Sequence, residues 1–195
     1  MKNKLLLTFT CLFLIHWSLE KSEDELKVFS QLGMGGYKSY KAEVVINANV
    51  QKVGDKLLDI VGHCKWVYHC KISSKPKSFS TNQFIIRYVI DIPWPVEDRE
   101  VYFDTNYVEK NENNKRVVDI NMNVVKEGFE SEKGNVLITQ GYIKINLIEI
   151  EPNKTKLIYI YNLDPAQNLS KTLANPFNYR LTYYTMKNLK DQLEK

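Results

Sequence analysis

Arg99 is the residue whose type and setting could do the most chemistry. It stands in the stretch Ile90 to Asp104, IDIPWPVEDREVYFD. Pro93 and Pro95 fix φ near −65° and remove two backbone donors, so the chain must leave one strand there and enter another at about Arg99. A guanidinium at the first position of a strand can point inward, where its rigid fork of donors would orient the polar end of a ligand. It can equally pair with Asp98, Glu100 or Asp104 in an ordinary ion pair. Trp94, held between the two prolines, is either a packing residue or a wall of a binding site. Tyr142, Tyr159 and Tyr161 are usual cross-strand residues, and their hydroxyls could also orient a ligand.

Cys64 and Cys70 each follow a histidine, His63 and His69. Six residues along an extended strand cover about 20 Å, far beyond the roughly 7 Å between Cα atoms that a disulfide tolerates. The same extension separates the two His-Cys pairs as metal ligands, and no third ligand cluster follows. Buried free thiols are therefore the expectation; a disulfide would need a turn between the two cysteines.

Enzymatic signatures are sparse. The chain has no Gly-x-Ser-x-Gly elbow, no phosphate loop and no HExxH. A cyclase or hydrolase could still use tyrosine, arginine and a carboxylate such as Asp91 or Asp119 as acid and base groups. No cofactor and no metal is implied. The formal charge of +4 falls to +2 once Lys2 and Lys4 of the leading segment are set aside, too little to expect nucleic-acid binding by phosphate neutralisation.

That leading segment, MKNKLLLTFTCLFLIHW, joins a basic start to an apolar run from Leu5 to about Ile15, a length suited to a signal peptide and short for a membrane span. Residues 1–16 are predicted to be a cleaved export signal, with an uncleaved membrane anchor as the alternative. The protein is then expected to be exported, periplasmic or secreted. Residues 17–195 are enough for one domain with a sizeable core.

The elements that must position these groups follow from periodicity. Asn49 can cap a helix running to Ile60, with Val50, Val53, Leu57 and Leu58 on one face. Strands are predicted at Leu26 to Ser30, Tyr37 to Ala48, Trp66 to Ile72, Phe79 to Ile92, Arg99 to Glu109, Arg116 to Val125, Val136 to Glu149 and Thr155 to Leu163. Turn chemistry near Pro76, at Asn111 to Asn114, at Glu127 to Asn135 and at Glu151 to Thr155 separates them. Connections this short favour antiparallel neighbours. A second helix is predicted from Pro176 to Leu193, capped by Asn175, with Phe177, Leu181, Tyr184, Leu189 and Leu193 as its apolar stripe. The fold class is α+β: one curved antiparallel sheet wrapped around a long C-terminal helix, a shape that leaves a cavity if inward side chains do not fill it.

Three motifs in this order resemble a known family. IPWPVEDRE, Ile92 to Glu100, looks like the proline-tryptophan-proline and Asp-Arg-Asp signature of START domains, the lipid-transfer modules of the helix-grip fold. WSLEKSEDELKVFS, Trp17 to Ser30, resembles that family's opening, a tryptophan-bearing helix leading into a short strand. YNLDPAQNLSKTLAN, Tyr161 to Asn175, matches its tyrosine, Asp-Pro and terminal asparagine. The departures are Ala166-Gln167 in place of Gly-Gly, Ser170 and Thr172 in place of proline and tryptophan, and Tyr142 where a tryptophan often stands. Thr81 to Ile90 also lacks the acid that sterol carriers set against the arginine. The resemblance implies a non-enzymatic monomer that binds a lipid or other hydrophobic small molecule and touches membranes transiently. It makes the C-terminal helix a lid, with Phe177, Leu181 and Tyr184 towards the ligand, Arg99 at a deep polar end, and Trp94, Tyr142 and Tyr161 as further contacts.

Overall fold

The computed structural model describes residues 17–166 and 169–195; the expected export signal at 1–16 lies outside them. Ten strands form one open sheet: β1 (Ser18–Glu23), β2 (Leu26–Leu32), β3 (Lys38–Ile46), β4 (Cys70–Ser78), β5 (Gln83–Ile90), β6 (Asp98–Glu112), β7 (Lys115–Val124), β8 (Asn135–Leu137), β9 (Gly141–Glu151) and β10 (Lys154–Leu163). Their order is β1-β2-β3-β10-β9-β7-β6-β5-β4, antiparallel throughout, with the short β8 added parallel to β6. Helix α1 (Val50–Leu58) links β3 to the β4 side, and α2 (Lys171–Leu193) packs across β3 and β2.

Alternation decides which residues face the helices. In β10 every second side chain from Thr155 to Leu163 is buried, which puts Leu157, Tyr159 and Tyr161 on the concave side. In β5 both faces are covered, so Phe84, Ile86 and Tyr88 point inward while Ile85 and Val89 are buried on the other side. Helix α1 starts as predicted: Asn49 Oδ1 accepts from the Lys52 N–H at 2.8 Å, and Val50, Val53 and Leu57 are buried.

Five expectations are corrected. Trp17 does not open a helix; the residues after it form edge strand β1, which pairs with β2 from Ser18↔Ser30 to Glu23↔Leu26. Trp66 to His69 is not strand. Ile60–Lys65 is a 3-10 turn, in which Gly62 has no room for a Cβ against Asp59, and β4 begins only at Cys70. That turn brings Cys64 and Cys70 to 4.8 Å between Cα atoms, and they form a disulfide instead of remaining free thiols. Pro76 lies inside edge strand β4, where the register shifts between Ser74 and Lys77, and the hairpin turns at Ser78 to Gln83 instead. Finally, α2 starts at Lys171 with Ser170 at its N-cap and Pro176 inside. Asn175 does not cap: its side-chain oxygen accepts from the Lys38 N–H at 2.9 Å and its carbonyl from the Tyr40 hydroxyl at 2.8 Å, clamping the helix onto β3.

Candidate ligand cavity

Between the concave face and α2 the inward side chains do not meet, and a cavity of about 360 Å³ remains. Its walls are mainly apolar: Phe84 and Ile86 of β5, Val101 and Phe103 of β6, Ile120 and Met122 of β7, Ile143 and Ile145 of β9, closed by Phe177 and Leu181 of α2. These are the residues that strand alternation turns inward, so the cavity wall is the core left unfilled. No Asp or Glu lines it among the described residues. Its opening lies between the β5–β6 loop and the start of α2, where Trp94 is 92% exposed and Leu173 58% exposed while both still line the cavity.

Arg99 lines the cavity and is buried, which lowers its tendency to hold a proton. Its Nε donates to the Pro165 carbonyl at 2.7 Å and its Nη1 to the Glu97 carbonyl at 2.5 Å. The guanidinium thus ties the β5–β6 loop to the β10–α2 connection, beside the opening and not at a deep polar end. It makes no ion pair with Asp98, Glu100 or Asp104 among the described residues. The connection into α2 is held further by the Tyr37 hydroxyl, which donates to the Leu169 carbonyl at 2.8 Å.

Of the other residues predicted from sequence, Tyr161, Phe177 and Leu181 line the cavity, and Trp94 stands at its rim instead of packing inside. Tyr142 and Tyr184 do not line it. Tyr142 is the register partner of Asn162, one residue out of phase with Tyr161 and Ile143, so the pleat turns it to the convex face. Tyr184 is off the buried stripe of α2 and packs its ring 4.8 Å from that of Tyr68.

The cavity also contains polar groups that sequence reasoning assigned no place there. His63 Nε2 lies 2.9 Å from the Leu57 carbonyl, so that nitrogen carries the hydrogen and Nδ1 accepts from the Tyr88 hydroxyl. Burial holds the imidazole down at about 4, against the pull of the Leu57 carbonyl, and it is neutral at ordinary pH. The Tyr161 hydroxyl donates to Asn178 Oδ1 at 3.2 Å. Tyr88 could have been found from the alternation Phe84, Ile86, Tyr88 within one strand. His63 could not, because its position depends on the 3-10 turn.

The turn that carries His63 also grips α2. Asn188 Nδ2 donates to the Trp66 carbonyl at 3.1 Å, Gln192 Nε2 to the Lys65 carbonyl at 2.7 Å, and the Tyr68 N–H to Thr185 Oγ1 at 3.1 Å. The Cys64–Cys70 disulfide closes this segment, whose Trp66 and Val67 line the cavity.

No protein-family model and no curated protein matches the sequence. Solved structures do match. A STAR-related lipid transfer protein from Xanthomonas axonopodis superposes with a TM-score of 0.78 at 20% identity, over 92% of this chain and 99% of that one. The human StAR-related lipid transfer protein 5 gives 0.78 at 14% identity, over 91% of this chain and 86% of that one. A START superfamily protein from Mycobacterium smegmatis gives 0.54 at 11% identity, over 80% and 97%. With its open antiparallel sheet, its C-terminal helix and the void between them, the chain has the helix-grip fold of the START domains.

Proposed function

We propose that this protein binds a lipid or similar hydrophobic small molecule in the cavity under α2 and carries it between membranes without transforming it. The observation that carries this reading is the apolar cavity itself, open at a rim that bears Trp94 and Leu173. Transfer of an acyl chain of about 16 carbons into water costs on the order of 10 kcal/mol at about 0.8 per methylene, and an enclosed apolar site removes that cost. The rim supports transient membrane contact, since an exposed tryptophan between two prolines has an apolar body and a polar N–H suited to the headgroup boundary. A lining without carboxylates among the described residues favours carrying over acid–base chemistry. The disulfide supports an exported protein, because such bonds persist in oxidising compartments.

The test is transfer of a fluorescent single-chain lipid between donor and acceptor vesicles. The protein is expected to accelerate it, and Trp94→Ala to slow it several-fold with unchanged thermal stability. Transfer at the uncatalysed rate with the intact protein would overturn the carrier reading.

A further inference from the structure

Helix α2 is held along two sides by different means. On one side it is tied to β3 and β1. Asn175 accepts from the Lys38 N–H, the Tyr183 hydroxyl donates to Glu23 at 2.8 Å and accepts from Lys21 at 3.0 Å, and Lys190 donates to the Val45 carbonyl at 2.6 Å. On the other side its partners come from the segment enclosed by Cys64 and Cys70. Thr185, Asn188 and Gln192 recur at helical spacing and form one stripe. They meet the Tyr68 N–H, the Trp66 carbonyl and the Lys65 carbonyl in turn. Further along the helix, the ring of Tyr184 lies 4.8 Å from that of Tyr68, and the ring of Phe177 lies 5.5 Å from that of His69.

The enclosed segment is also part of the cavity. Trp66 and Val67 line it, and the His69 carbonyl accepts from the Asp91 N–H at 2.8 Å, where β5 ends and the loop to Trp94 begins. His69 is held at φ 56°, a left-handed conformation that is costly for a residue with a side chain and persists where its surroundings impose it. One covalent bond closes this ring, the Cys64–Cys70 disulfide, and both of its cysteines are only half-buried. A reductant can therefore reach the sulfurs.

We propose that this disulfide is a redox switch on the cavity. Oxidised, it fixes the segment that holds one side of α2. Reduced, it lets His69 relax and the segment move, the seam between α2 and that segment loosens, and a ligand enters and leaves faster. The reductant is an external dithiol. One of its thiolates attacks a protein sulfur to give a mixed disulfide, and the other protein sulfur leaves as a thiolate and takes up a proton. The second thiolate of the dithiol then displaces the first, so the dithiol ends as a disulfide and the protein holds two thiols. The effect on ligand passage rests on the carrier reading; the loosening of α2 does not.

The test follows the protein before and after dithiothreitol, with alkylation mapping to show that Cys64 and Cys70 have opened. Reduction is expected to raise hydrogen exchange in Thr185 to Leu193 while the sheet stays protected. It should also speed the exit of a dansyl-labelled fatty acid about tenfold, as the loss of one or two net hydrogen bonds from the closed state would. Reoxidation should restore both. The double change Cys64→Ser, Cys70→Ser should exit fast with or without the dithiol. The double change Asn188→Ala, Gln192→Ala keeps the disulfide, and it should exit fast and respond little to reduction. A disulfide that resists the dithiol in the folded protein, unfolding of the whole chain on reduction, or exchange and exit unchanged by reduction would overturn the switch and leave the carrier reading standing. A probe that binds in neither state, with Thr185 to Leu193 still loosened by the dithiol, would overturn the carrier reading and uphold redox control of α2.

Discussion

Arg99 and Glu100 are adjacent in β6, and the pleat sends them to opposite faces of the sheet. On the concave side, Arg99 and Arg180 line a void that meets no carboxylate among the described residues, and Asn178 Nδ2 and Trp66 Nε1 of its wall have no partner there. On the convex side, Glu100 is completely buried and fully engaged. It accepts from Arg87 Nε at 2.6 Å, the Tyr102 hydroxyl at 2.8 Å, Asn135 Nδ2 at 2.8 Å and the Glu132 N–H at 2.9 Å. That cluster pins the long β7–β8 loop against the sheet, with Phe129 stacked on Tyr102 at 4.3 Å. One face uses charge, gathered on Glu100, to hold a loop in place. The other holds no carboxylate among the described residues and leaves polar capacity open.

Glu100→Ala should have the largest effect. It would leave the Arg87 guanidinium and three further donors buried around a hole, at a cost of about 3–5 kcal/mol in urea unfolding. Ligand binding by whatever remains folded should be unaffected, because the cavity is on the other face.

The two faces should also separate along the pH axis. His63 is held at about 4 in the folded protein against 6.5 when free. The unfolded chain therefore takes up its proton first, and stability falls by about 3 kcal/mol as pH drops from 6.5 towards 4. For Glu100, burial alone would raise the carboxyl, but the bonds from Arg87, Asn135, the Glu132 N–H and Tyr102 outweigh it and hold it at about 2 against 4.5. Its contribution, again about 3 kcal/mol, is present above pH 4.5 and lost as pH falls from there towards 2. Unfolding followed against pH should show both declines, and His63→Gln should abolish only the upper one.

Removing the disulfide should matter less. A double Cys64→Ser, Cys70→Ser change releases a short loop, worth about 2 kcal/mol by chain entropy. Because that loop grips α2 through Lys65, Trp66 and Tyr68, hydrogen exchange should rise mainly in Thr185 to Leu193. A uniform rise across the sheet would contradict this local role.

The architecture was legible wherever one period ran unbroken: the alternation of β10, the capped stripe of α1, and the strand runs on either side of the Trp94 corner. It was illegible where tertiary contacts overrode a local signal. Asn175-Pro176 has the form of a helix start, yet β3 takes up Asn175 by two hydrogen bonds and the helix begins five residues earlier. The Cys64–Cys70 separation excluded a disulfide only for an extended chain, and the 3-10 turn removed that premise. In the cavity, Tyr161, Phe177 and Leu181 were named by the family resemblance, and all three line it. Tyr142 failed by a single residue of strand parity, which sequence leaves open until a register partner is known. Asn178, inside a helix and surrounded by ordinary side chains, carried no signal at all: what marks it is an unpartnered Nδ2, visible only once Tyr161 is placed against it.

The most direct measurement of the central claim is native mass spectrometry of the protein purified without added lipid, followed by release and identification of whatever is bound. The expected result is a mass excess corresponding to one small apolar molecule per chain, lost on denaturation. A protein that appears only at its own mass, and gains none after incubation with lipids of several classes, would contradict a binding role for the cavity.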